Sequence, residues 1–332
     1  WRRVVSVVDG SVGEALGKLY VEKHFSSEAK KKINEMVDNL FEIYMERIKN
    51  LDWMSPKTKK KALLKLSTIR RKLGYPDVWK GYKGLKILPH DYIGNMERTH
   101  EFEFKRMIRK LAKKPDRKEW HMTPATVNAY YSSNMNEIVF PAGIMQPPFF
   151  DPKIDDAFNY GAIGMTIGHE ITHGFDDEGS KFDEKGNLKN WWSKEDRKRF
   201  DKKTSVLVKH YSSVKVLDGI PLNGKLTLGE NIADLGGLII AFKAYLKSQE
   251  GKKSRVIDGF TPEQRFFLGY ALSEIAQLRD EEFRRRIVTD PHSQAPYRIN
   301  LAVSNMDEFH EAFDVKPGDK MYLAPKDRAK IW

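Results

Sequence analysis

The residues with the clearest chemical potential are His169-Glu170-Ile171-Thr172-His173. On a helix, positions i and i+4 lie one turn apart on the same face, so both imidazoles can reach a single metal ion. Two histidines at that spacing suit zinc, and the glutamate after the first leans toward water at the metal, where it can act as a general base. The same pattern also arises by accident on core helices, so its neighbours matter. Asp176 follows His173 closely enough to accept a hydrogen bond from an imidazole N–H; the alternative is an aspartate at a frayed helix end. A catalytic zinc site takes a third protein ligand and keeps one position open. The best candidate is Glu230, in Thr227-Leu228-Gly229-Glu230-Asn231-Ile232-Ala233-Asp234. Thr227 and Glu230 also read as a capping box, in which the glutamate satisfies only a backbone N–H. Asp234, one turn further along the same face, favours the ligand reading because it could brace a ligand histidine.

The elements that must hold these groups read as mainly helical, an α+β chain with a small sheet beside the metal-binding helix. Between Ala29 and Ile48, apolar residues recur at three-and-four spacing. Ser55-Pro56 opens another helix, which Gly74 closes after Leu73; Thr261-Pro262 is a similar opening, and Ser193 starts a charged helix running through His210. Thr126 to Tyr131 and Glu137 to Phe140 carry β-branched and aromatic residues around a polar turn, the pattern of a hairpin. Pro141, Pro147 and Pro148 then break the chain before a long helix around Ile154 to Asp176. In that helix Gly161, Gly164 and Gly168 cost helix propensity, which points to close backbone packing.

At 332 residues, with 40% apolar and 31% charged residues, the chain can bury a real core and is not of disordered composition. Its longest apolar run, Leu235 to Leu246, contains Lys243 and falls short of a membrane span. The net charge of +12 invites a nucleic-acid reading, but Lys59-Lys60-Lys61 and Arg284-Arg285-Arg286 fall in segments with helical periodicity and lack any nucleic-acid motif. Solvated helix faces explain them. With no cysteine, there are no disulfides, thiolate ligands or cysteine nucleophiles, and the compartment is left open. The chain begins at Trp1 without a charged-then-apolar leader, so the expectation is a removed leader or a start inside a longer gene product.

Several separate motifs then agree. They are Asn128-Ala129-Tyr130-Tyr131, Val139-Phe140-Pro141-Ala142-Gly143-Ile144 with Pro147-Pro148-Phe149-Phe150, His169 to His173 continuing as Gly174-Phe175-Asp176-Asp177, Gly229 to Asp234, and Asp290-Pro291-His292-Ser293 with Arg298. On these motifs the whole chain resembles the neprilysin family of zinc endopeptidases, which includes endothelin-converting enzymes and bacterial oligopeptidases. The resemblance implies a thermolysin-like zincin core and one Zn2+ per chain, with His169, His173 and Glu230 as ligands and Glu170 as general base. Asp176 and Asp234 would hold the histidines, and Asp234 would also have an acid role. His292 would stabilise an oxyanion, Arg298 would bind a substrate carbonyl, and Asn128 with Ala129 would bind the substrate backbone. Phe149, Ile144, Met165 and Thr166 would wall the pocket for a bulky apolar side chain after the scissile bond. Without the family, His292 is a loop histidine and Arg298 a surface cation.

The implied organisation is a helical segment, 1–115, that is the remainder of a lid or linker packing on the core, followed by a catalytic domain, 116–332. A large helical part of the family's ectodomain, preceding Trp1, would form much of the lid and is a candidate partner alongside peptide substrates. Two departures stand out. Ala329-Lys330-Ile331-Trp332 replaces a terminal Cys-x-x-Trp, and Glu274 falls near where the animal enzymes carry a pocket tryptophan. The expected activity is hydrolysis of oligopeptides with an apolar residue after the scissile bond. Its rivals are a peptide-binding or regulatory fragment with little turnover, and a basic nucleic-acid binder.

Overall fold

A computed structural model describes all 332 residues, Trp1–Trp332. Three helices come first: α1 (Arg2–His24), α2 (Ser27–Asn50) and α3 (Pro56–Ser67). Strand β1 (Arg70–Gly74), helix α4 (Tyr92–Lys110) and strands β2 (Tyr130–Ser132) and β3 (Glu137–Pro141) follow. Helix α5 (Asp156–Asn159) passes through a turn of π-helix, Tyr160–Gly164, into α6 (Met165–His173), which carries the histidine pair. Then come α7 (Lys194–Ser212), α8 (Leu228–Ser248), α9 (Pro262–Glu274), α10 (Asp280–Thr289), α11 (Ala295–Val303) and α12 (Asp307–Ala312). The chain is mainly helical with one small sheet, and no helix is long and apolar enough to cross a membrane.

Local chemistry accounts for several helix starts. Ser26, Ser55, Ser193 and Thr261 cap α2, α3, α7 and α9 through their hydroxyls, and Thr261 with Gln264 completes a capping box. The helix expected from Pro56 to Leu73 is shorter. It stops at Ser67, where the Thr68 hydroxyl donates back to the Leu64 and Lys65 carbonyls, and Arg70–Gly74 becomes β1, parallel to β3. With Leu73 its one apolar residue, the segment has no strand alternation of its own, so pairing with β3 decides. The hairpin is also shorter than expected: ladder pairing begins at Tyr130, not Thr126. Upstream of it, the Thr126 N–H turns back to the Thr123 carbonyl and the Asn128 side chain takes the Ala129 N–H, local bonds that compete with a ladder. Strand order is β1-β3-β2, which leaves β2 at an edge. The long helix expected over Ile154 to Asp176 runs from Asp156 to His173, interrupted by the π turn, and Asp176 lies beyond its end.

A single apolar core links residues from Val21 to Trp332. Beneath α6, an aromatic group forms its densest part: Tyr44 and Phe175 meet Trp332, which also contacts Trp53 and Phe200. Trp53 Nε1 donates to the Ile331 carbonyl at 2.9 Å, tying the terminal residues to the core. Helices α6 and α8 cross backbone to backbone. A Cβ on Gly237 would lie 2.6 Å from the His169 nitrogen, and one on Gly168 would lie 2.9 Å from the Gly237 Cα. Gly161 packs in the same way, its Cβ position 1.9 Å from the Phe266 carbonyl oxygen of α9. Gly161 and Gly168 thus make the expected close backbone approaches, whereas Gly164 does not: its Cβ position meets only side chains, Met36 Sδ nearest at 3.3 Å.

Gly237→Ala is expected to destabilise the chain by about 1–3 kcal/mol, because the methyl group meets backbone that cannot rotate away. Gly10→Ala, with open space around its Cβ position, should be neutral or stabilise by up to about 1 kcal/mol. Urea unfolding of chelator-treated protein measures both; equal midpoints for the two variants would show that the crossing tolerates separation.

Candidate metal centre

The site is assembled on facing sides of α6 and α8. His169 is 5% exposed and Glu170 7%. Each histidine has its Nδ1 held by a carboxylate: His169 by Asp234 Oδ1 at 2.8 Å, His173 by Asp176 Oδ2 at 2.6 Å. Asp176 is itself fixed, accepting the N–H groups of Glu178 and Gly179 at 2.9 and 2.6 Å. With Nδ1–H donating, both Nε2 atoms carry lone pairs, and they face one another at 2.9 Å. Glu230 Oε2 adds a third electron-rich atom, 3.2 Å from His169 Nε2 and 3.6 Å from His173 Nε2. That oxygen is buried without a hydrogen-bond partner. Three converging lone-pair donors, the two imidazoles pinned on their far sides by carboxylates, fit a metal ion.

The capping-box reading of Glu230 fails on geometry. Thr227 makes no side-chain cap bond; its hydroxyl donates to the Asn223 carbonyl and accepts from Asn231 Nδ2. Glu230 is left free to turn to the histidines.

Electrostatics favour a cation here. Burial resists a charged imidazole at both histidines, but Asp234 and Glu230 outweigh it at His169, lifting its pKa to about 9. Asp176 and Glu230 likewise raise His173 well above its ordinary value. Burial also works against ionised Glu230, yet the two imidazoles hold it far below the usual carboxylate range. An environment that binds protons this firmly at ligand atoms also draws a metal ion, which must displace them.

Around this centre lie the other predicted residues. Arg298 on α11 makes a bidentate bond to Asp234, Nε and Nη2 both at 2.7 Å, and keeps this wholly buried acid ionised despite its burial. Its Nη1 faces Glu274 Oε2 at 3.5 Å. His292 is 47% exposed, with Nδ1 on Asp290 Oδ1 at 2.9 Å and Nε2 3.2 Å from Glu230 Oε2. Ala129 is buried and Asn128 exposed just ahead of β2, the strand that packs beside α6. Ile144 and Met165 are buried in the core, whereas Phe149 and Thr166 are partly exposed. Three participants were not anticipated. Asn231 accepts the Ser293 hydroxyl at 3.0 Å and so ties the His292 loop to α8; Asp290 orients His292; and the Tyr270 hydroxyl donates to the Arg298 carbonyl at 3.2 Å. Asn231 and Asp290 had a sequence signal, their places beside Glu230 and His292 in the motifs; Tyr270 had none.

These features are those of a metallopeptidase-type centre, and comparison with known proteins agrees. The pattern of peptidase family M13 matches residues 128–329, and a second pattern of the same family matches residues 1–76. The chain belongs to this family. It is 39% identical to neprilysin-1 of Caenorhabditis elegans and 37% identical to human neprilysin, over 100% of this chain and 46% of each relative. Among solved structures, the inhibitor complex of Mycobacterium tuberculosis zinc metalloprotease ZMP1 aligns with a TM-score of 0.94 at 47% identity, covering 100% of this chain and 51% of that one. PEPO from Lactobacillus rhamnosis aligns at 0.85 and 33% identity, over 98% of this chain and 50% of that one. The chain therefore spans about half the length of the relatives it matches.

With zinc as the probe ion, Glu230→Ala is expected to weaken binding more than Asp176→Asn, which should cost about 10–100-fold through loss of imidazole orientation. Competition against a chromophoric chelator measures both. Wild-type affinity in Glu230→Ala would remove it from the ligand set.

Proposed function

We propose that this chain carries the catalytic half of a zinc metalloendopeptidase that hydrolyses peptide bonds within oligopeptides, with one zinc held by His169, His173 and Glu230. The convergence of those three donors, with Glu170 on the same helix, carries this reading. Membership of a family whose relatives include neprilysins and a zinc metalloprotease supports it.

When bound, zinc supplies Lewis acidity, bringing the ionisation of water toward neutrality and polarising a carbonyl. Glu170 takes a proton from the attacking water and delivers it to the leaving nitrogen, so a C–O bond forms, the C–N bond breaks and one water is consumed. His292, oriented by Asp290 beside Glu230, donates to the carbonyl oxygen as negative charge develops. Arg298 has Nε and Nη2 committed to Asp234, so Nη1 is the nitrogen left to meet a substrate carbonyl. Through His169 and Arg298, Asp234 couples the ligand set to substrate binding; this contact is our basis for including it among the catalytic groups.

The free edge of β2 supports docking of an extended peptide as an added strand, its backbone held by Asn128 and Ala129. The partly exposed Phe149 and Thr166, with the buried Ile144 and Met165, would supply an apolar wall and hence a preference for an apolar residue after the scissile bond. We read residues 1–115 as the remainder of a lid or linker region that packs on a catalytic domain of residues 116–332. β1 from the first part joins β3 of the second, which supports their docking. A preceding helical segment is the partner this reading implies.

Glu170→Gln should retain zinc and lower kcat on an internally quenched peptide by at least about 10²–10⁴-fold, because an amide cannot accept the proton. Elemental analysis together with steady-state kinetics measures both quantities. Zinc-dependent turnover at the wild-type rate in this variant would overturn the assignment of Glu170.

A further inference from the structure

Beside the metal centre lies a recess of about 170 Å³, walled by Glu274, Leu278, Arg286, Asp290, His292 and Arg298. None of the four residues of the apolar wall lines it. It adjoins the reacting region directly, since His292 Nε2 is 3.2 Å from Glu230 Oε2 and Arg298 Nη2 is 3.4 Å from His169 Nδ1.

The charges around this recess do not balance. Arg298 is matched by the two oxygens of Asp234. Arg286 donates to Glu282 at 2.7 Å and stands 3.7 Å from Asp290, which in turn holds His292. Glu274, at the last turn of α9, has one ion-pair contact, 3.5 Å to the Nη1 of an arginine already committed elsewhere. Its side chain is 17% exposed, so bulk water does little to solvate it. Burial raises its pKa, with Arg298 opposing that effect only in part. A largely buried carboxylate without its own cation, facing a recess of side-chain size, is an acceptor awaiting a donor.

We propose that Glu274 makes this recess a receptor for a cationic side chain, lysine or arginine, on the peptide bound at the metal centre. The proposal rests on the peptidase reading for its substrate class. The ammonium or guanidinium group enters between Glu274 and Asp290, its methylene stem lies against Leu278, and Arg298 Nη1 is released toward the peptide backbone. Glu274 is then a specificity-determining residue, and the chain accepts basic peptides through this recess in addition to apolar side chains at the neighbouring wall.

The test measures binding, so that it does not depend on turnover. Zinc-loaded protein carrying Glu170→Gln is titrated calorimetrically with acetylated, amidated alanine pentapeptides in which one lysine, or one norleucine as its uncharged counterpart, is moved along the chain. At one position the lysine peptide should bind about 10–100-fold more tightly than its norleucine partner, the size expected of a charge-assisted hydrogen bond. Adding Glu274→Gln should bring that ratio to about one. Equal affinity of the two peptides at every position overturns the proposal. So does a Glu274→Gln change that weakens both peptides equally, since that would mark a residue which only positions Arg298. If zinc-loaded wild-type protein cleaves none of the peptides but the lysine preference and its loss in Glu274→Gln are observed, the recess stands and the peptidase reading fails.

Discussion

The centre depends on how closely α6 and α8 approach. Gly168 and Gly237 bring the two backbones into contact, and Gly236 admits the Thr172 side chain and the edge of Trp332. Along α8, Glu230, Asp234 and Gly237 follow at intervals of four and three, so a single face carries the proposed ligand, a histidine brace and the contact point. On α6, Met165, Gly168, His169 and Thr172 form the opposing face. Residues larger than glycine at the crossing would move the axes apart, and the 2.8 Å contact from His169 to Asp234 leaves no room for that. An ordinary helix pair fills this space with interlocking side chains. Here glycines take the crossing and the polar groups extend from it.

That arrangement buries much charge. Glu170, Glu230, Asp176 and Asp234 surround the histidines, and Arg298 is the one arginine bonded among them. Buried carboxylates are costly unless paired and hydrogen-bonded. Asp176 meets the cost with two backbone N–H groups and His173, and Asp234 with Arg298 and His169. Glu230 has only the imidazoles, which is the deficit a divalent cation relieves. The chain as a whole carries +12, so this acidic centre sits inside a basic molecule. The surface charge and the site charge therefore serve different ends, as expected if the basic runs are solvated helix faces.

The histidine pair was legible because helical spacing converts directly into distance. His169 and His173 had to share a face whatever lay around them. Glu230 was harder, since a capping box and a ligand place glutamate at the same offset. Asp234 tipped the reading toward a ligand, and the structure removes the capping box, because the Thr227 hydroxyl is engaged by Asn223 and Asn231. β1 was missed because Arg70–Gly74 holds one apolar residue, Leu73, and so carries no alternation of its own; pairing with β3, Arg70 against Glu137, settles the matter. The Asn231–Ser293 bond joins the His292 loop to α8 across 62 residues, and no local period encodes it; the Asp290 brace of His292 is local, only two residues away, but a side-chain contact of that kind has no periodic signature. Glu274 was visible only as an odd residue; its meaning comes from the α9 end lying against Arg298.

The parts of the site differ in support, and the difference follows their tasks. The ligands stand on or beside long helices over a floor of Tyr44, Phe175 and Trp332, where a displacement must disturb packed aromatic rings. A metal site needs that stiffness because its bond lengths tolerate little error. His292 lies on a short loop held by Asp290 and Ser293, and Asn128 lies on an unpaired approach to an edge strand. In the proposed function these are the groups that would meet a flexible peptide, and a loop and an edge can adjust to it. Glu274 falls between the two regimes, at the last turn of a well-capped helix but at the rim of the core. A charged group there is fixed enough to select a partner and open enough to reach one, so changes in peptide preference can accumulate at this rim while the metal geometry beneath stays unaltered.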